Sequence, residues 1–209
     1  MRIIEDHIEE HIGRISLVYH EIVSDELHID IHVVEPSETR KFYTLITSGM
    51  SDYPMQAPKG YEDYKYAELI LSLPATWSLT DEALQHQINN WPITWLKTIA
   101  RLPHDKNTWV SLGHTIPNGN PPMPFSTKTA LCCWVLSVPL LFGKSFRNLT
   151  VDEQKTINFF CLIPIYREEM AFKLQKGAQP LIEKLLRNRI NEVIDVSRKN
   201  VCKKLFGLF

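Results

Sequence analysis

Four places in this 209-residue chain set histidine, acid or glycine at spacings that could do chemistry. His7-Ile8-Glu9-Glu10-His11 puts two imidazoles one helical turn apart, on a single face if the segment is a helix. The zinc-protease pattern needs glutamate directly after the first histidine, and that position is Ile8, with no third ligand at a matching distance. A solvated helix face is the expectation. His28, Asp30 and His32 alternate, so on a strand all three project to one side and could offer a metal two imidazoles and a carboxylate. The plainer expectation is the polar face of a half-exposed strand, with Leu27, Ile29, Ile31 and Val33 turned inward. His20 joins that group only if the register brings the preceding strand alongside.

Gly143-Lys144-Ser145 ends like a phosphate-binding loop, but the glycine required five positions before Gly143 is Val138, and Pro139 interrupts the stretch. Gly113-His114-Thr115 is the most informative polar spot, since it precedes the proline-rich run Asn118 to Pro124. His114 could act as a general base for a hydrolase. No Gly-x-Ser-x-Gly turn or comparable motif supplies a nucleophile, so the alternatives are a hydrogen bond that holds the long loop and a contact to a partner. Catalytic residues, metal and cofactor are therefore all expected to be none.

The elements that must position these residues read as a mixture. Met1 to Gly13 is expected to be a short helix, with Ile4, Ile8 and Ile12 on one face and Gly13 as its stop. Ile15–Ile22, Leu27–Val34 and Lys41–Thr47 alternate like strands, separated by Val23-Ser24-Asp25 and by Pro36-Ser37-Glu38. Ala67–Leu73, Val110–Ile116, Leu131–Leu141 and Thr156–Tyr166 supply further strands. Helical pattern runs from Asp81 to Leu102, with Thr80 as N-cap and Pro92 expected to break or restart it. Trp91 and Trp95 would then share a face. Arg167–Lys176, stopped by Gly177, and a closing basic helix from Pro180 to about Leu205 complete the set. This order suits an α+β domain with a mixed, largely antiparallel sheet and peripheral helices better than βαβ units.

Composition sets the bounds. Hydrophobic residues make up 44% of the chain, enough for one domain spanning residues 1–209 that needs neither metal nor disulfide. Cys132, Cys133, Cys161 and Cys202 show no paired spacing, and Cys132 and Cys133 would face opposite sides of a strand. Buried free thiols suit a reducing cytoplasm. Acidic residues near the start exclude a signal peptide, and the apolar run Ala130 to Phe142 is too short to span a bilayer, so a cytoplasmic protein is expected. The formal net charge of −1 hides an asymmetry: residues 1–110 carry 17 acidic against 9 basic side chains, residues 111–209 carry 7 against 14. Either the two halves neutralise each other inside one globule, or an acidic surface is left for a basic partner. The basic end around Arg198, Lys199, Lys203 and Lys204 is read as a favourable helix terminus and not as a nucleic-acid site.

Between Thr47 and Ser72 the chain has a further signature. Thr47-Ser48-Gly49-Met50-Ser51 with Pro54-Met55, then Glu68-Leu69-Ile70-Leu71-Ser72-Leu73-Pro74, resemble the core of the suppressor of fused (SUFU-like) family in its bacterial form. The likeness continues through Trp91-Pro92-Ile93, Leu96 and Trp109, through Gly113 to Gly119, and through Phe160 to Tyr166 with Glu168-Glu169-Met170. It covers residues 14–195. What it implies is a non-catalytic, protein-binding domain of the immunity or antitoxin type, which neutralises a cognate polymorphic toxin by direct binding. Nucleases with basic clefts are one class of such toxins. Neither direct nucleic-acid contact nor membrane association is expected, and the oligomeric state stays open. Met50, Asp52, Tyr53, Met55, Glu62, Asp63, Asp81, Glu82 and His114 are the candidate partner contacts, chosen for loop position and charge. The alternatives are an adaptor that takes an extended peptide on a sheet edge, and a hydrolase using His114.

Overall fold

A computed structural model describes residues 2–21 and 27–203 of the chain. Helix α1 (Arg2–His11) is followed by strands β1 (Ile15–Tyr19), β2 (Asp30–Val34), β3 (Phe42–Ser48) and β4 (Ala67–Pro74). Helices α2 (Asp81–Leu84) and α3 (Gln87–Asp105) lead to β5 (Thr115–Pro117), β6 (Cys133–Ser137), β7 (Asn148–Thr150) and β8 (Thr156–Ile165). Helices α4 (Arg167–Lys176) and α5 (Ala178–Arg187) end the regular structure. All eight strands form one sheet in the order β1-β2-β3-β4-β8-β6-β5, with β7 pairing the start of β8. Only the β4–β8 pair is parallel.

The sheet divides two apolar layers. On β4, Ala67, Leu69, Leu71 and Leu73 enter one core, where Trp91, Leu96, Ile99 and Ala100 of α3 cover them. The alternate residue Ile70 enters the other, beneath Ile4 and Ile8 of α1 and Leu181 and Leu185 of α5. Strand β8 serves both cores, with Phe160 and Leu162 on one side and Ile157, Phe159, Cys161, Ile163 and Ile165 on the other. Strands covered on both faces read as continuous apolar runs, which explains the composition of β8. Cys132, Cys133 and Cys161 are buried free thiols, and burial pushes the Cys133 thiol up to about 12.

Several expectations need correction. His7 is not on a solvated helix face: it is buried, stacks on Phe146 and Phe159, and its Nε2 donates to the Phe146 carbonyl. The helical stretch from Asp81 divides at Gln85–His86, ahead of Pro92, which lies buried inside α3. Thr80 caps α2 as anticipated, accepting from the Ala83 amide. Trp91 and Trp95 do share a face, both packing on Phe125. The strand expected over Val110–Ile116 is limited to Thr115–Pro117. The Val23-Ser24-Asp25 turn lies outside the described residues, as do Lys204 and Leu205.

The largest departure concerns the closing helix, which stops at Arg187 instead of running on to Leu205. Leu181, Leu185, Ile190 and Ile194 do recur at near-helical spacing, but hydrogen bonds bring the chain back to the sheet. Asn188 caps α5, Arg189 takes a left-handed φ of 58°, and the buried Glu192 carboxylate accepts from the Leu140 and Leu141 amides. Ile194 then donates to the Ser72 carbonyl, which places this segment beside β4. Arg198 is no helix-end cation. It is buried, and its guanidinium forks onto both oxygens of the fully buried Glu169 at 2.8 and 2.5 Å while also reaching the Pro164 carbonyl at 2.9 Å. Glu169 in turn accepts from the amides of Tyr166 and Val201. Removing one member of such a pair strands the other in the core. Arg198→Met is expected to cost about 3–5 kcal/mol, read as a lower urea midpoint, whereas the exposed Lys199→Met stays within about 0.5 kcal/mol of the parent.

Candidate partner-binding surface

The signature Thr47-Ser48-Gly49-Met50-Ser51 forms the turn that leaves β3. Gly49 has φ of 107°, and a Cβ there would stand 1.9 Å from the His28 carbonyl oxygen, so the turn can pass only as glycine. A single 3₁₀ turn follows over Met50–Asp52. Glu68 of β4 holds it from beneath. Its carboxyl group, with no exposed surface, accepts from the Thr47 hydroxyl at 2.6 Å and from the Ser51 amide and hydroxyl at 2.9 and 2.7 Å. The Thr47 oxygen is itself a relay, accepting from the Leu69 amide at 2.8 Å. Burial pushes the Glu68 carboxyl above its usual range, and the three donors only partly offset that.

This anchoring corrects two of the candidate contacts. Met50 is fully inside and Met55 nearly so, both in the α3-side core, and the His104 imidazole donates to the Met50 carbonyl. Methionines in this loop fold back and offer a partner nothing. Asp52 and Tyr53 do face solvent, with Tyr53 edge-on to His104. The loop then runs along the end of α3, where the Gln56 amide donates to Thr108, and exposes Tyr61, Glu62 and Asp63. Tyr61 packs on Trp109 and Trp109 on His114, at centroid separations of 5.0 and 4.7 Å. Asp81 and Glu82 are exposed as well, but the chain reaches them only after leaving the opposite end of β4.

His114 is partly buried. Burial, with Lys173 nearby, lowers its pKa, and its imidazole is hydrogen-bonded to the Trp109 backbone. Its own amide donates to Ser111 and its carbonyl accepts from Leu136. The histidine thus fastens the 109–114 turn to β6, whereas the proline-rich loop is held by Asn118, whose side chain donates to the Met123 and Pro124 carbonyls. Among the described residues, no carboxylate or thiol is hydrogen-bonded to His114, which is the geometry a hydrolase would need.

The histidines of β2 also differ from expectation. Asp30 and His32 are fully buried, so this is not a half-exposed polar face. His32 pairs with the Ser48 hydroxyl at 2.8 Å, and burial lowers its pKa. Asp30 instead meets His20 and His28, each at 2.9 Å, and accepts from the Glu21 amide. The register does bring His20 alongside, but His32 turns away from the group, and no set of three such side chains among the described residues could hold a metal ion. Asp30 was missed as an anchor because a carboxylate at an alternating position reads as solvent-facing.

One consequence of Glu68 burial can be measured. Its folded pKa lies above its unfolded value, so its stabilising share is complete below about pH 4.5 and is lost as pH rises through the folded pKa. The stability difference between the parent and Glu68→Gln should therefore shrink as pH is raised from 4.5 to 7.5 in urea titrations. Glu68→Ala orphans the Ser51 amide and both hydroxyls and should cost on the order of 3 kcal/mol at pH 4.5, a cost that shrinks with rising pH by the same amount as for Glu68→Gln, because neither replacement titrates. A difference that grows with pH would mean that the three donors outweigh burial.

Comparison with known proteins places this geometry in a family. The sequence profile of the suppressor of fused protein (SUFU) matches residues 25–199. No curated protein matches the chain. Among solved structures, a suppressor of fused homologue from Neisseria gonorrhoeae superposes with a TM-score of 0.70 at 16% identity, covering 97% of each chain. A chain of the Sufu-Fu complex matches with a TM-score of 0.65 at 16% identity, covering 96% of this chain and 91% of that one. Drosophila Suppressor of Fused gives 0.63 at 15% identity, covering 96% of this chain but 50% of its own length. The profile spans the anchored Thr47–Ser51 turn, the Glu68 strand and the Glu169–Arg198 closure, and the chain belongs to the suppressor of fused (SUFU) family.

Proposed function

We propose that this chain is a non-catalytic binding protein of the immunity type, which neutralises a cognate toxin by covering a basic working surface. One observation carries the reading furthest. Every ion pair among the described residues lies within one half of the chain: His20 and His28 with Asp30, Arg101 with Glu21, Arg187 with Glu183, and Arg198 with Glu169. The acidic first half is not neutralised by the basic second half, so its excess charge is left to the surface. Asp52, Glu62 and Asp63 display part of it beside exposed Tyr53 and Tyr61. Aromatic anchors ringed by polar groups are what protein interfaces favour. The loop is held by Glu68 and Gly49, so little ordering cost remains at binding. A family neighbour solved as the Sufu-Fu complex agrees with a protein partner.

Addition of a peptide strand is less well supported. The sheet edges are β1, which carries a register shift between Ile15 and Leu17, β5, three residues long and closed by Pro117, and the three-residue β7. These features blunt an edge. No helix among the described residues is long and apolar enough to cross a membrane.

The test begins with co-purification of the tagged protein from its native host, identification of bound protein by mass spectrometry, and co-expression with that partner. A stoichiometric partner whose toxicity disappears on co-expression is the expected result; a partner without toxicity would sink the immunity reading. Charge reversal of Asp52, Glu62, Asp63, Asp81 and Glu82 to lysine should weaken binding at least tenfold and reduce its salt dependence. Unchanged affinity and salt dependence would rule out the acidic cap.

A further inference from the structure

One cleft is lined by none of the residues of the acidic loop. It measures about 940 Å³ and opens between the proline-rich loop, the start of α4 and the segment after Arg198. Its apolar wall comes from Pro122, Pro124 and Tyr166, and its charged wall from Arg167, Lys199 and Lys203. One carboxylate, Glu168, shares the lining, and the Asn200 amide already donates to it at 2.7 Å. The charge balance of the cleft is therefore positive. Lys199 and Lys203, the lysines that line it among the described residues, are both exposed.

The cleft is also built. Asn118 holds the Met123 and Pro124 carbonyls, the Met123 amide returns to Asn118, and the Arg167 guanidinium donates to Pro122 at 2.6 Å. The Tyr166 hydroxyl donates to the Arg198 carbonyl, and Arg198 is locked by Glu169. Phe125, the next residue after the loop prolines, is buried between Trp91 and Trp134. Walls fixed in this way need no reorganisation when occupied. The volume is at the upper end of what holds a compact small molecule, about 300–1,000 Å³, and the cleft is open to solvent.

We infer that this cleft is a second binding site, for an extended acidic segment of a partner protein that lays apolar side chains on Pro122, Pro124 and Tyr166 and its carboxylates on Lys199 and Lys203. Charge complementarity selects acid over base, and the apolar wall selects a peptide over a small anion. The site shares no residue with the acidic loop and does not rest on the toxin reading.

Fluorescence anisotropy with short labelled peptides tests it, using a Glu-Leu-Pro repeat and its Gln-Leu-Pro and Lys-Leu-Pro counterparts against the full chain. The acidic peptide is expected to bind saturably and to weaken with added salt, with the other two at least tenfold weaker. Lys199→Glu with Lys203→Glu should abolish binding, while Lys144→Glu with Lys176→Glu, an equal charge change at two exposed lysines outside the lining, should leave it intact. Both lysines are exposed, so folding is not at stake; matching thermal unfolding of the variants confirms it. Equal binding of the three peptides, no saturation up to millimolar peptide, or retention in the double variant would overturn the proposal. Concentration-dependent self-association lost in the double variant would also overturn it, in favour of a second copy of this chain as the occupant.

Discussion

Buried carboxylates hold the backbone on which every surface of this domain is displayed. Irregular segments leave amides that neither helix nor strand can satisfy, and a buried amide without an acceptor is costly. Glu68 takes the Ser51 amide, Glu169 the Tyr166 and Val201 amides, Glu192 the Leu140 and Leu141 amides, and Asp30 the Glu21 amide. A carboxylate suits the task because its two oxygens can accept several donors at once. The four differ in how their charge is met. Asp30 and Glu169 have basic partners, whereas Glu68 and Glu192 rely on hydrogen-bond donors, and for those two burial pushes the carboxyl up.

The sheet determines where those anchored segments emerge. Because β3 and β4 are antiparallel, the turn leaving β3 and the loop entering β4 meet at one end of the sheet. Glu68 near the start of β4 is then the residue within reach of that turn. The parallel pairing of β4 with β8 has the opposite consequence. That pairing ends at Ile70 and Cys161, and the segment around Ile194 takes up the Ser72 carbonyl beyond that point. That insertion carries Arg198 to Glu169 and leaves Lys199 and Lys203 on the rim of the cleft. One sheet thus presents an acidic loop and a basic cleft from separate parts of its perimeter.

Much of this was legible in the sequence, and the parts that were not share a cause. The order of strands, the helix at Arg167–Lys176 and its stop at Gly177 followed from periodicity and glycine, which are local signals. The signature around Gly49 was legible as a turn, and the prominence of Glu68 only as part of a family pattern. What periodicity could not show was the fate of polar residues inside it. His7, Asp30, His32, Glu68 and Arg198 all occupy positions that read as solvent-facing, yet each is buried because a second layer covers the other side of the sheet. The closing helix failed for the same reason: apolar spacing continued past Arg187, but Glu192 and Arg198 had partners far away in the chain. Met50 and Met55 looked like contact residues because loops are expected at the surface, and this loop is packed beneath α3.

The charge pattern follows from how ion pairs are distributed. An α+β domain with long-range strand pairing could have placed acids of the first half against bases of the second throughout its interior. Instead the pairs that matter for folding are made within each half, and the surplus of each sign is left outside. Exposed charges contribute little to stability, so folding alone does not require that arrangement. Long-range fields act mainly on encounter, where they orient a partner and raise its association rate. Aromatic residues set among acids at one place, and apolar walls set among cations at another, are what the proposed recognition by charge and shape requires. The buried carboxylates hold the backbone of both surfaces in place, which is the preorganisation such recognition would need.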